Sequence, residues 1–214
     1  MSLPQPPHPE RTIVGWSKRF VASIASRSTT ITTVLDVAAG SGRHSRLFLD
    51  LGCAVTAVDR NIEALQRHFV NDDSERIEIV ECDLELDLEE KAKTNDGSIQ
   101  TSSSVCCYNW PFDETRRWDV IVVTNYLWRP LLPRLAAALA DGGVLMYETF
   151  MVGNERFGRP RNKKFLLSQG ELLAFAQNNE HLLDVVEFSQ GEVVGENGTP
   201  AAVRQRLLAR RKSI

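Results

Sequence analysis

Apolar and polar positions alternate along this chain in blocks that read as strand, helix, strand, helix. Val34, Leu35 and Val37 form a short apolar run with one carboxylate, Asp36, and the run breaks at Gly40-Ser41-Gly42. Leu47, Phe48 and Leu51 then share one helical face. Ala54–Asp59 is a second apolar run ending in an acid. Asn61 stands where it can cap a helix with Ile62, Leu65 and Phe69 inward, and Asn71–Glu75 is a polar turn. Ile77, Ile79 and Val80 predict a third strand, running into Glu81-Cys82-Asp83-Leu84. Trp118–Val123 predicts a fourth, apolar enough to be buried on both faces. A helix over Leu131–Ala140 follows, with Pro133 in its first turn, and Asp141-Gly142-Gly143 ends it. Val144–Tyr147 begins a fifth strand that closes in Glu148-Thr149-Phe150. Ser168-Gln169-Gly170-Glu171 reads as a capping box opening a helix through Asn178. Leu182–Phe188 and Ala201–Ala209 are two late strands with no room for a crossover helix, so they pair antiparallel.

Two stretches depart from this rhythm. Residues 1–32 combine a proline-rich lead-in (Met1–Pro9), one helix over Glu10–Ala25 and a polar linker. That helix either covers a ligand or only packs on the sheet edge. Glu85–Cys107 turns polar and Ser/Thr-rich, and such composition buries too little apolar area to offset ordering entropy, so a mobile insertion is predicted. The domain proper is expected over 33–214.

Bulk properties narrow the class. A chain of 214 residues with 43% apolar and 25% charged content fits one α/β domain. A net charge of −3 gives no global attraction to nucleic acid or anionic membranes. No apolar stretch approaches a bilayer span, and the start lacks the apolar core of a secretory signal. Cys53, Cys82, Cys106 and Cys107 show no C-x-x-C spacing, so no metal site is predicted and reduced thiols in a cytoplasmic protein are expected. Oligomeric state is not encoded legibly.

The chemistry concentrates at strand ends. A glycine turn between strand and helix permits close backbone approach and aims a helix N-terminus at a ligand. Asp59 follows that turn at about the 20-residue distance of a carboxylate that binds ribose hydroxyls. The dinucleotide fingerprint wants a third glycine where this chain has Ser45. The pattern D-x-x-x-G-x-G (Asp36, Gly40, Gly42) instead resembles motif I of the class I S-adenosylmethionine (SAM) methyltransferases, and a plain tight turn is the bland alternative. Strand four ends in Thr124-Asn125-Tyr126-Leu127-Trp128-Arg129-Pro130, which should line a transfer site; Tyr126 and Trp128 read equally well as packing residues. In Met151–Phe165, Arg156, Arg159, Arg161, Lys163 and Lys164 crowd together at the same rim. They form either a lid presenting guanidinium groups to an anionic substrate or a solvated basic loop.

The resemblance to the class I methyltransferases covers about residues 33–210 and implies a Rossmann-like, doubly wound, seven-stranded sheet, mostly parallel with a C-terminal antiparallel hairpin. The segment from Tyr147 to Leu167, followed by Gly170-Glu171-Leu172-Leu173, is similar to a microbial subgroup related to tellurite-resistance (TehB-like) methyltransferases. The resemblance implies SAM as cofactor. It places the glycine loop under the methionine part, Asp36 near its amino group and Asp83 on the adenine amino group, though Asp83 also reads as a solvated loop acid. Further contacts are expected from Ala38, Arg60, Leu84, Thr124 and Asn125. Tyr126, Trp128, Arg129, Arg156 and Arg159 are the substrate-side candidates. His44, Tyr126 and Glu148 are candidate bases by rim position, needed only if the acceptor arrives protonated. The leading expectation is methyl transfer to a small molecule. An RNA or protein methyltransferase, a non-catalytic SAM-binding module and, more remotely, an NAD-dependent oxidoreductase are the alternatives.

Overall fold

The computed structural model describes residues 32–70, 75–86, 109–194 and 198–213. The predicted N-terminal helix and almost all of the predicted insertion lie outside the described residues. Five strands run parallel: β1 (Thr33–Val37), β2 (Ala54–Asp59), β3 (Ile77–Glu81), β4 (Trp118–Thr124) and β5 (Leu139–Phe150). The hairpin β6 (Leu183–Val194) and β7 (Pro200–Arg211) adds antiparallel, giving one seven-stranded sheet of order β3-β2-β1-β4-β5-β7-β6. The order reverses at β1, so the carboxyl ends of β1 and β4 flank a topological switch point, where open α/β sheets bind ligands.

Side-chain alternation explains why the central strands read as continuous apolar runs. Val34, Val120, Val122, Val144 and Met146 pack on one face with Phe48 and Leu49 of α1 (Arg43–Asp50) and Leu65 and Phe69 of α2 (Glu63–Phe69). Leu35, Val37, Ile121, Val123, Leu145 and Tyr147 pack on the other. There they meet Leu132 and Leu135 of α3 (Leu132–Ala137) and Leu172 and Ala176 of α4 (Glu171–Asn178). Both faces are therefore dry, and each fully buried aliphatic side chain contributes roughly 1.5–3 kcal/mol.

The structure departs from the predicted boundaries in three places. The predicted helix through Ala140 ends at Ala137, and β5 begins at Leu139, ahead of the Asp141-Gly142-Gly143 turn. The pairing shifts between Trp118 and Val120 because the extra residues bulge out, and a Cβ on Gly143 would sit 2.8 Å from the Ala140 carbonyl oxygen. The late strands are longer than predicted, each spanning 12 residues. Helix α4 starts at Glu171 rather than Ser168, yet half of the expected box forms, with Ser168 N–H donating to Glu171 Oε2 at 2.8 Å.

Candidate active site

The glycine turn is built by three constraints. Gly42 has φ +81°, and a Cβ there would lie 2.6 Å from Phe69 Cε2 and 2.8 Å from Leu65 Cδ2, so only glycine lets α1 seat against α2. Asp36, 1% exposed, turns its carboxylate onto the start of α1, accepting from Ser45 N–H at 2.9 Å and from Ser45 Oγ–H at 2.6 Å. Burial pushes the Asp36 carboxyl up to about 6, against the lowering pull of the Ser45 bonds. Asp59, at the end of β2, ties the turn from the other side: its Oδ2 accepts from Gly40 N–H at 2.8 Å and its Oδ1 from Asn61 N–H at 3.0 Å. Asn61 stands one residue ahead of Ile62, the actual cap of α2, and its Oδ1 accepts from Glu63 N–H at 3.1 Å.

Above these strand ends lies an open cavity of about 1060 Å³. Its floor comes from Ala38, Asp59, Arg60, Cys82, Asp83, Leu84 and Glu85, and from Asn125, Tyr126 and Leu127. The far wall is the segment after β5, through Gly158, Arg159, Pro160, Arg161, Asn162 and Phe165. Ala38 (φ +53°) and Asn125 (φ +57°) are left-handed without being glycine. Both stand at carboxyl ends of neighbouring strands, and such strain persists where surrounding structure over-determines it. Asn125 is held by Arg204 Nη1, which donates to its Oδ1 at 2.6 Å, and by its own N–H, which donates to Glu148 O at 3.0 Å.

The predicted cofactor residues divide in two. Ala38, Asp59, Arg60, Asp83, Leu84 and Asn125 line the cavity. Asp36, Gly40, Gly42 and Thr124 do not line it and instead shape the turn and strand ends beneath. Asp83 Oδ1 also accepts from Glu85 N–H at 3.0 Å, which orients its carboxylate at the β3 end.

Several substrate and base candidates are paired or buried. Arg129 is a clamp: Nε and Nη2 grip Glu171 at 2.6 and 3.0 Å, while Nη1 and Nη2 donate to Lys164 O and Leu166 O, both at 2.9 Å. Burial works against the charge of Glu171, but the Arg129 and Ser168 bonds outweigh it and hold its carboxyl below the ordinary value. Arg156 pairs with Glu192 at 2.5 Å, away from the cavity. Trp128 packs against the core and does not line the cavity. Glu148, 4% exposed, is gripped by Arg204 at 3.0 Å and Arg206 at 2.6 Å and does not line the cavity. His44 is buried, its Nδ1 lies 3.4 Å from Thr124 Oγ1, and burial holds it down to about 4, so it is neutral at pH 7. Tyr126 does line the cavity, and burial raises its phenol above the ordinary value.

Residues that sequence reasoning missed hold these loops in place. Tyr147, buried in β5, donates its OH to Tyr126 O at 2.9 Å. Asn154, 1% exposed, accepts from Val203 N–H at 3.1 Å and donates to Arg159 O at 3.4 Å. The Tyr147–Tyr126 and Asn154–Val203 bonds join residues 21 and 49 apart in the chain, and no local pattern announces them.

The strand order, the terminal antiparallel pair and the acid-tied glycine turn at the switch point define the class I methyltransferase fold. By sequence, neither a protein-family model nor a curated protein matches the chain. By structure, it is similar to TehB from Haemophilus influenzae at 20% identity and a TM-score of 0.58, covering 93% of this chain and 66% of that one. It is also similar to the 1,6-didemethyltoxoflavin-N1-methyltransferase of Burkholderia thailandensis, crystallised with S-adenosylhomocysteine (18% identity, TM-score 0.60, 94% and 79% covered). A third likeness is to the magnesium protoporphyrin IX methyltransferase of Synechocystis PCC 6803, also with S-adenosylhomocysteine (13%, TM-score 0.59, 94% and 83% covered). The likeness extends over nearly the whole chain and is a likeness of fold. The chain spans 66% of the length of the H. influenzae protein.

Proposed function

We propose that this protein is a SAM-dependent methyltransferase acting on a small-molecule acceptor. The observation that carries the proposal is the 2.8 Å bond from Gly40 N–H to Asp59, at the cavity floor beside the switch point. Each Asp59 oxygen accepts one protein hydrogen bond, and a carboxylate offers about four lone-pair sites, so capacity is left for two vicinal hydroxyls. Asp83 stands at the next strand end, suited to accept from an exocyclic amino group, with the apolar walls of Leu84 and Leu127 nearby. Ala38, Arg60 and Asn125 complete the cofactor side. Gly40 and Gly42 shape the turn, and Asp36 and Thr124 brace its base. The residues present thus fit a nucleoside carrying a cationic sulfonium. Two of the structurally similar methyltransferases were crystallised with S-adenosylhomocysteine, which supports the same reading.

When bound, the cofactor supplies an activated methyl group whose transfer needs no covalent enzyme intermediate. The chain's contribution is then placement and water exclusion, with an acceptor atom held about 3 Å from the methyl in line with the departing sulfur. The cavity slightly exceeds the roughly 300–1,000 Å³ typical of a small-molecule site, which gives room for cofactor and acceptor together. Glu148 is engaged by two arginines and His44 does not line the cavity, so the reading favours an acceptor that arrives deprotonated or is neutral with a lone pair. No helix among the described residues is long and apolar enough to cross a membrane, and a cytoplasmic location completes the proposal. Metabolite extract incubated with the protein and methyl-labelled SAM should yield a labelled small molecule by mass spectrometry. Label confined to RNA or protein would overturn the choice of acceptor class.

A further inference from the structure

Of the basic residues in the segment after β5, Arg159 and Arg161 enter the cavity wall, and they do so without partners. Neither guanidinium makes a hydrogen bond or ion pair among the described residues, whereas Arg156 is neutralised by Glu192. Their backbone is tethered on both sides. Asn154 holds the Arg159 carbonyl, the Asn162 side chain accepts from Lys164 N–H at 3.0 Å, and Arg129 clamps the carbonyls of Lys164 and Leu166. Phe165, 46% exposed, turns an apolar ring into the same wall. Two cations without partners among the described residues, beside an uncovered aromatic face on a tethered loop, form a recognition surface.

The cavity is also polarised. Asp59 closes β2, Asp83 and Glu85 follow the end of β3, and among the described lining residues there Arg60 is the one cation. The strand order puts β5 four strand spacings from β3, about 19 Å at about 4.8 Å each. An anion is repelled at the acidic end and attracted at the β5 end. We propose that the β5 end is the acceptor subsite and takes an organic oxyanion, a carboxylate or phosphate on an apolar body, gripped by Arg159 and Arg161 with its body on Phe165. This inference rests on the methyltransferase reading for the word acceptor, but the anion subsite stands on these residues alone.

Calorimetry with 2-naphthoate, 2-naphthyl phosphate, 2-naphthamide and inorganic phosphate, each with and without S-adenosylhomocysteine, tests it. At least one of the two naphthyl anions should bind about tenfold or more tighter than the amide, as charge-assisted guanidinium bonds imply. The stronger of the two identifies the headgroup. In the Arg159→Gln/Arg161→Gln double variant the preference should vanish, while the unfolding midpoint and the affinity for S-adenosylhomocysteine stay unchanged. Equal binding of acids and amide by the native protein overturns the proposal. So does loss of S-adenosylhomocysteine affinity in the double variant, which would assign the arginines to the cofactor. Inorganic phosphate binding as tightly as naphthyl phosphate removes the role of Phe165 and overturns the organic part. A native protein that ignores S-adenosylhomocysteine yet still prefers the naphthyl anions would sink the methyltransferase reading and leave the anion subsite standing.

Discussion

Gly42 and Phe69 touch so closely that no other residue fits at position 42: an added Cβ would lie 2.6 Å from the Phe69 ring. The contact joins the glycine turn to α2, so the loop under the cavity and the packing of one sheet face are a single structural decision. Gly42→Ala adds left-handed strain of about 1–2 kcal/mol to overpacking of about 1–3 kcal/mol. Gly40→Ala meets nothing within 4 Å and carries only the strain. Chemical denaturation should therefore rank the two, with Gly42→Ala the more destabilised by at least about 1 kcal/mol. The reverse ranking would refute the packing account.

Glu148 is held as a buried ion-pair centre between Arg204 and Arg206. Glu148→Ala leaves two guanidinium groups facing no carboxylate, and removing one partner of a buried pair costs about 3–5 kcal/mol. The measurement is the unfolding free energy in denaturant. A loss under 1 kcal/mol would mean that solvent screens the pair far more than its burial suggests.

Two buried groups in the turn oppose each other with pH. The Asp36 carboxyl rises from 3.8 to about 6 on folding, so its contribution is fully present below about pH 4 and is lost as pH climbs through 6. His44 falls from 6.5 to about 4, so its contribution is present above 6.5 and is lost as pH drops through 4. His44→Asn removes only the second slope. The stability difference, variant minus native, should then be more favourable to the variant at pH 4.5 than at pH 7.5, by on the order of 3 kcal/mol. A difference independent of pH would contradict the burial assigned to His44.

The Arg129–Glu171 clamp fastens the cavity wall to α4. Arg129→Gln should cost about 1–2 kcal/mol, given the partial exposure of the pair, and should speed amide exchange selectively in 158–166. Unchanged exchange there would show that the wall is held by other contacts.

These relationships mark the boundary of what the chain's letters disclose. Strands β1 and β4 were legible because burial on both faces leaves a continuous apolar run, and the acid-tied glycine turn was legible because spacing carries its chemistry. The start of β5 was not, since a bulge places Asp141-Gly142-Gly143 inside a strand where the same residues read as a helix stop. The charged rim residues read from the sequence turn out to have partners that the local pattern hides. Arg129 lies 42 residues from Glu171, and Glu148 lies 56 and 58 residues from Arg204 and Arg206. Local pattern locates a charge at the rim, but only the assembled sheet shows whether that charge is already spoken for.

The measurement that bears most directly on the whole account is a calorimetric titration of S-adenosylhomocysteine into the native protein and Asp59→Ala. Single-site binding by the native protein is predicted, weakened about 30-fold or more in the variant through loss of charge-assisted hydrogen bonds worth about 2 kcal/mol or more. Equal affinities, or no binding to the native protein at all, would contradict it.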